Sequence, residues 1–146
     1  MLAVRKCRAP RKGAQLFATI ERACFPNKGE HWTASMLAWE ALRHDFWTAE
    51  DGGEVAGFLI AEERQSRGYV TTVDVLPRHR GRGVASRLMQ AAEKEYRKRG
   101  YRRMRLEVGV DNPAQTLYFK LGYRTLHVRH NYYKKGSHAL TMEKAL

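Results

Sequence analysis

The chain has 146 residues, 43% of them apolar and 29% charged, the balance of one globular domain (residues 1–146) able to bury a core. Its 27 Lys and Arg against 15 Asp and Glu leave a net charge of +12, an excess that suits phosphates, acidic surfaces or nucleic acid and says nothing about fold. No apolar run approaches the roughly 18 residues of a membrane helix, the basic first ten residues lack a signal-peptide core, and two cysteines without a CxxC pattern fit reduced thiols in the cytoplasm.

In chain order, residues 2–8 alternate in polarity up to Pro10 and predict a first strand. A helix follows over 12–24, with Leu16, Ile20 and Cys24 expected on its inner face. Turn chemistry marks residues 26–29, and Thr33 reads as the N-cap of a second helix through Leu42, with Met36, Leu37 and Leu42 as its apolar surface. Residues 46–49 and 55–61 form strands around an Asp51-Gly52-Gly53 hairpin turn, and 69–75 form a fourth strand after a polar link over 62–68.

The helix that starts near Val84 has the clearest period in the chain. Ala85, Leu88, Met89, Ala92 and Tyr96 make one stripe, Glu93–Arg97 and Glu95–Arg99 are i,i+4 pairs, and Gly100 stops the helix. Residues 104–108 then read as a strand with Leu106 and Val108 on one face and Glu107 on the other. Pro113 opens a short helix to about Leu121, ended by Gly122. Two further strands, 124–128 and 140–143, flank a polar and aromatic stretch over 130–138. Strands clustered between helices predict a mixed α/β sheet.

Between the fourth strand and the third helix lies a basic, glycine-spaced loop, Leu76-Pro77-Arg78-His79-Arg80-Gly81-Arg82-Gly83-Val84-Ala85. Two glycines free the backbone to turn its N–H groups toward an anion, and the helix start adds unpaired N–H groups and a positive dipole end. On these residues alone the loop is a phosphate cradle or an ordinary strand–helix turn with solvated arginines. A dinucleotide fingerprint is excluded because Ser86 occupies the third glycine position, and no Gly-Lys-Ser/Thr follows to make a P-loop.

Arg78-x-x-Gly81-x-Gly83 after a strand resembles the acetyl-coenzyme A signature of the GNAT N-acetyltransferase superfamily. A second block, from Leu106-Glu107-Val108 through Asn112-Pro113-Ala114 to Leu117-Tyr118-x-Lys120-x-Gly122-Tyr123, resembles that superfamily's later segment. Glu21-x-x-Cys24-Phe25-Pro26, Trp32 and Arg129-His130-Asn131-Tyr132-Tyr133 are similar to the RimI-type branch, which acetylates the N-terminal alanine of a ribosomal protein. The resemblance covers essentially the whole chain. It implies a GNAT fold: a central, mostly antiparallel, splayed sheet of about six or seven strands flanked by about four helices.

The resemblance also assigns roles. Acetyl-CoA would be the cosubstrate, with no metal, held by Val73, Val75, Arg78, Arg80, Gly81, Arg82, Gly83, Val84, Ala85 and Asn112. The strand carrying Val73 and Val75 would splay from the strand of Glu107 to admit the pantetheine arm, and the Val75 main chain would meet the acetyl end. Glu107 would be the general base and Tyr118 the acid that protonates the leaving thiolate. Trp32, Asn131, Tyr132 and Tyr133 would line the acceptor site, and the acceptor would be a peptide or protein N-terminus, a ribosomal protein included.

The residues keep other readings open. Glu107 could pair with a nearby arginine, Tyr118 could be an ordinary core residue, and Asp74 is a rival base. The six histidines show no metal-ligand grouping in sequence. Two departures from the family pattern stand out: the Asn112–Tyr118 interval is about one residue short, and His138 stands where the branch carries an acid. The competing functions are acetylation of a small amine and, in another class, a non-catalytic basic protein that binds the ribosome or nucleic acid. Membrane association is not expected, nor is nucleic acid as substrate.

Overall fold

A computed structural model of the chain describes residues 1–25 and 31–146, so the turn expected over 26–29 lies outside the described residues. Among the described residues are seven strands, β1 (Leu2–Lys6), β2 (Asp45–Asp51), β3 (Glu54–Arg64), β4 (Arg67–Val75), β5 (Arg103–Gly109), β6 (Arg124–Lys134) and β7 (Ser137–Ala145). The four α-helices are α1 (Ala14–Cys24), α2 (Ala34–Glu40), α3 (Val84–Lys98) and α4 (Ala114–Lys120), with 3-10 turns at Pro10–Gly13 and Pro77–His79. The strands form one mixed sheet in the order β1-β2-β3-β4-β5-β7-β6. No described helix is long and apolar enough to cross a membrane.

By contacts the chain divides into two compact units. The first comprises Met1–Glu62 and Thr71–Ala92. In it β1 pairs antiparallel with β2, and β2 with β3, with a register shift at Ala49/Glu50. Its core gathers Phe17, Ile20, Leu37, Phe46, Phe58, Ile60 and Leu76, with the Phe17 ring 4.8 Å from Phe58 and 5.6 Å from Phe46. Burying such a ring contributes roughly 1.5–3 kcal/mol.

Two expectations about helix faces change here. The buried side of α1 carries Ala14, Phe17, Ala18, Ile20 and Glu21, while Leu16 is exposed. Ile20 is buried and Cys24 packs partly buried against the core as expected, so Leu16 alone of the three falls outside a stripe that Phe17, two alanines and a carboxylate complete. On α2 the Thr33 side chain caps as expected, accepting from Met36 N–H at 3.1 Å, and Leu37 is buried. Met36 and Leu42 are exposed, and α2 closes at Glu40.

The second unit comprises Glu63–Val70 and Glu93–Leu146. The polar link expected over 62–68 is a two-residue turn, because Gln65 and Ser66 both adopt positive φ (52° and 62°) and β3 and β4 extend to meet it. β4 and β5 pair in parallel through Gly68↔Met104, Tyr69↔Arg105 and Val70↔Leu106. β5 and β6 both pair antiparallel with β7. The stretch over 130–138 is strand except for a turn at 135–136: β6 runs to Lys134, with every residue exposed and a left-handed Asn131 (φ 54°) interrupting its register, and β7 starts at Ser137.

Within α3, Leu88, Met89, Ala92 and Tyr96 are fully buried as their period requires. Glu95 pairs with Arg99 at 3.2 Å. Glu93, expected to face Arg97, is instead buried and accepts from the Tyr123 hydroxyl and from Lys144 Nζ, both at 2.8 Å. Two strong donors, Tyr123 just ahead of β6 and Lys144 on β7, outweigh one exposed i,i+4 partner.

Candidate active site

In the first unit, β4 ends at Val75, Leu76 N–H donates to Ala56 O at 2.8 Å, and the 3-10 turn carries the chain into the glycine loop. Gly81 and Gly83 adopt φ of +78° and +80°, and no atom lies within 4 Å of where either Cβ would stand. Arg87 N–H donates to Gly83 O at 3.0 Å, the bond that closes the first turn of α3. The N–H groups ahead of it emerge from the helix start without i−4 partners.

The arginines of this loop are engaged with the chain itself. Arg78 pairs with Glu54, Arg82 Nη1 donates to Asp51 at 3.1 Å, and Arg80 Nε donates to Val75 O at 3.0 Å. The His79 ring sits between Asp51 (3.1 Å) and Glu54 (2.9 Å). Together His79 and Arg82 hold the Asp51 carboxyl below its ordinary range. Thus Arg78 and Arg82 brace the loop against the β2–β3 turn, while Arg80 ties it back to the end of β4. The Val75 carbonyl also accepts from Cys24 Sγ at 3.1 Å, and burial with nearby Asp74 pushes that thiol up to about 11. Val73 is half-buried, while Asp74, the rival base, is buried and accepts from Thr72 Oγ1 at 2.8 Å.

Trp32, also in this unit, is tied to α1: its backbone N–H donates to Glu21 Oε1 at 2.6 Å, and His31 Nδ1 lies 3.2 Å from both Glu21 oxygens. Its side chain lines an open cleft of about 400 Å³ with Ser35, Met36, Trp39 and Glu40. His44 stands between Glu40 and Glu62, three potential ligand atoms within 4.8 Å of one another. Sequence spacing missed this group because β3 supplies its third member.

In the second unit, Glu107 lies on the face of β5 opposite Met104, Leu106 and Val108, as alternation requires. Its side chain is only 5% exposed. The Tyr69 hydroxyl donates to Oε1 at 2.6 Å and Thr141 Oγ1 donates to Oε2 at 2.5 Å. Arg129 Nη1 stands 3.9 Å away, so the arginine pairing weighed against a catalytic role is present at the long limit of an ion pair. The Tyr132 hydroxyl lies 3.3 Å from that of Tyr69, and its ring meets Tyr133 edge-on at 4.9 Å. Burial and the Glu107 carboxylate push the Tyr69 phenol well above its ordinary range, so it remains a donor. Tyr69 and Thr141 escaped the sequence reading because a tyrosine or threonine in a strand looks like packing.

The other predicted residues of this unit have different surroundings. Tyr118 is buried on α4, its ring edge-on to Tyr123 at 6.2 Å. Asn112 is exposed, and its Oδ1 accepts from Ala114 N–H at 2.9 Å, which starts α4. Asn131 Oδ1 accepts from Gly136 N–H at 2.7 Å, and Asn131 N–H donates to His138 Nδ1 at 2.9 Å. The histidine that replaces the branch's acid therefore braces the β6–β7 hairpin.

This arrangement offers a glycine-opened helix start in one unit and, in the other, a nearly buried carboxylate held by two hydroxyl donors. Residues 14–123 match the acetyltransferase (GNAT) family. An N-alpha-acetyltransferase of Sulfurisphaera tokodaii is 31% identical over 115 residues, covering 69% of each chain. The ribosomal-protein-S18-alanine N-acetyltransferase of Escherichia coli superposes with a TM-score of 0.85 at 22% identity, covering 99% of this chain and 94% of that one. The yncA acetyltransferase of Salmonella typhimurium, solved with acetyl-CoA, superposes with a TM-score of 0.81 at 18% identity, covering 99% and 94%. The chain belongs to the acetyltransferase (GNAT) family, and it is an N-acetyltransferase.

Proposed function

We propose that the chain acts as a single domain that transfers an acetyl group from acetyl-CoA to the α-amine of a peptide or protein N-terminus. The observation that carries this reading is the Glu107 carboxylate, nearly enclosed yet fixed by Tyr69 and Thr141 on a strand of the central sheet. The names of the relatives, one an N-alpha-acetyltransferase and one acting on an S18 alanine, favour an N-terminal acceptor over a small amine.

The glycine loop fits a pyrophosphate. Room stands open where side chains at Gly81 and Gly83 would project, and the start of α3 presents N–H groups beside them. Val73, Val75, Arg78, Arg80, Arg82, Val84, Ala85 and Asn112 would complete the coenzyme contacts. When bound, the coenzyme supplies a thioester carbonyl open to attack.

The chain's own task is proton handling. An α-ammonium has a pKa of about 8, so a sizeable fraction must be deprotonated before the nitrogen can attack. Glu107 takes that proton, directly or through one water, with Tyr69 and Thr141 holding its oxygens in place. Nitrogen–carbon bond formation and carbon–sulfur cleavage follow, and the Tyr118 phenol returns a proton to the thiolate. By the family resemblance, Trp32 and, in the second unit, Asn131, Tyr132 and Tyr133 would have the acceptor-lining roles.

The test is acetyl-CoA consumption measured against peptides beginning with alanine, serine or methionine and against a panel of small amines. Turnover with peptides and not with polyamines, aminoglycosides or amino acids supports the reading. Turnover confined to small amines overturns it.

A further inference from the structure

The sheet face that carries Glu107 is lined with arginine. Arg103, Arg105 and Glu107 alternate along β5 and share that face. β7 sets Glu143 opposite Arg105 and Thr141 opposite Glu107, while β4 sets Tyr69 opposite Arg105. Glu143 takes Arg105 Nη2 at 2.7 Å and lies 3.6 Å from Arg67 and 3.8 Å from Arg103. Arg64 stacks 3.7 Å over the Tyr69 ring, and Arg129 sits 4.7 Å over the Tyr132 ring and 3.9 Å from Glu107. Five guanidiniums and two carboxylates therefore mark this face, an excess of three positive charges, with Arg129 beside the proposed base itself. The surrounding unit carries 15 Lys and Arg against 6 Asp and Glu, so it holds +9 of the chain's +12.

We propose that this face selects an acceptor whose reacting amine is followed within a few residues by carboxylates: an acidic N-terminus. The inference rests on Glu107 being the base that receives the amine. Arginine suits the task because its planar fork binds a carboxylate through two parallel bonds. Arg105 already spends Nε (2.9 Å) and Nη2 (2.7 Å) on Glu143 and Arg67 donates to Gln65 at 3.1 Å, so the forks open to a peptide carboxylate are those of Arg103 and Arg129, 58% and 51% exposed. Single forks set apart among carboxylates and tyrosines fit a small planar anion better than a nucleic-acid backbone, which would ask for an unbroken run of cations. A basic N-terminus would meet like charge on this face.

The experiment compares kcat/KM for three peptides that begin with alanine and carry aspartate, serine or arginine at positions two and three. Calorimetric binding of the same peptides in the presence of coenzyme A is measured alongside. The acidic peptide is expected to exceed the neutral one by about fivefold per carboxylate, with the arginine peptide last. The ratio should shrink as ionic strength rises. Arg129→Glu should invert the order in favour of the arginine peptide, an outcome a misfolded variant cannot produce. Free aspartate and glutamate form a further arm: their acetylation without that of any peptide would assign the anion to a small acceptor and overturn the N-terminal form of the proposal. Equal rates on acidic and neutral peptides overturn this inference and leave the proposed function standing. Inhibition by single-stranded RNA with no acidic preference overturns it in favour of nucleic acid. Turnover only on uncharged small amines overturns both.

Discussion

The Tyr69 hydroxyl donates to the Glu107 carboxylate at 2.6 Å, across the parallel pairing of β4 and β5. A hydrogen bond to a charged acceptor contributes roughly 1.5–3 kcal/mol, and here it also fixes which way the carboxylate points. Tyr69→Phe keeps the ring beneath Arg64 and removes only the hydroxyl, leaving Thr141 as the side-chain hydroxyl donor to Glu107. Turnover is expected to fall about tenfold while acetyl-CoA affinity is kept. Steady-state kinetics with isothermal calorimetry separate the two; an equal loss of coenzyme affinity would mean that Tyr69 serves packing.

Glu107→Gln preserves the shape of the side chain and its capacity to accept from Thr141 while removing the base. A positioned base contributes about a hundred- to ten-thousandfold, so kcat/KM should drop within that range. The loss should be largest at low pH, where unprotonated amine is scarce, and smallest above the amine's own pKa of about 8. A pH–rate profile is the measurement. A uniform drop at every pH would point to a positioning role, and Asp74→Asn would then be the next variant to compare.

Gly83→Val tests the loop. Nothing lies within 4 Å of the missing Cβ, so the added Cβ finds open space and the main cost comes from the +80° φ. That conformation costs an L-residue roughly 1–2 kcal/mol, which urea unfolding will read as lost stability. Coenzyme affinity should fall much further, at least tenfold, because the added branch fills the room through which the backbone would reach a pyrophosphate. Equal coenzyme affinity in the two proteins would remove the loop from the binding site.

Tyr118→Phe addresses the proposed acid. The tyrosine is buried against Tyr123, so the ring should keep its packing when the hydroxyl goes. Loss of the thiolate's proton donor is expected to slow turnover about a hundredfold with coenzyme binding unchanged. Wild-type activity would mean that the short Asn112–Tyr118 interval has turned the phenol to another use.

How much of this was legible in the sequence depends on whether a signal is local. The stripe of α3, the Thr33 cap and the alternation that turns Glu107 away from Leu106 and Val108 each lie within one element, and each appears in the structure as read. On α1 the four-residue spacing finds Ile20 and Cys24 but includes the exposed Leu16 and passes over Ala14, Ala18 and Glu21, which are not conspicuous hydrophobes, although Glu21 is buried to receive the Trp32 N–H. Glu93 was assigned a neighbour four residues on, while its partners Tyr123 and Lys144 are 30 and 51 residues away. Tyr69 and Thr141 stand 38 and 34 residues from Glu107. No periodicity encodes such pairings. The first half of β6 shows in the alternation of Leu126 and Val128, whereas its continuation to Lys134 is polar and aromatic, exposed, and broken by a left-handed Asn131, so no period reveals it.

Cys24 gives a prediction in which pH decides. Burial is the main reason its thiol is pushed up to about 11 from 9.0, with the Asp74 charge adding to it and Arg80 opposing it. The thiolate is the reactive form, so alkylation of Cys24 by iodoacetamide at pH 8 should be slow and should accelerate about tenfold per pH unit toward pH 11. The same shift links to stability. A group that holds its proton more tightly folded than unfolded stabilises the fold fully below about pH 9, and that contribution is lost as the pH rises through about 11. The Tyr69, Tyr123 and Tyr133 phenols are shifted in the same direction, so the wild-type profile alone would mix four groups. Cys24→Ala separates them: urea unfolding of the two proteins from pH 8 to pH 11 should show the gap between wild type and variant narrowing as the pH climbs. A constant gap would mean that Cys24 acts only through its bond to the Val75 carbonyl.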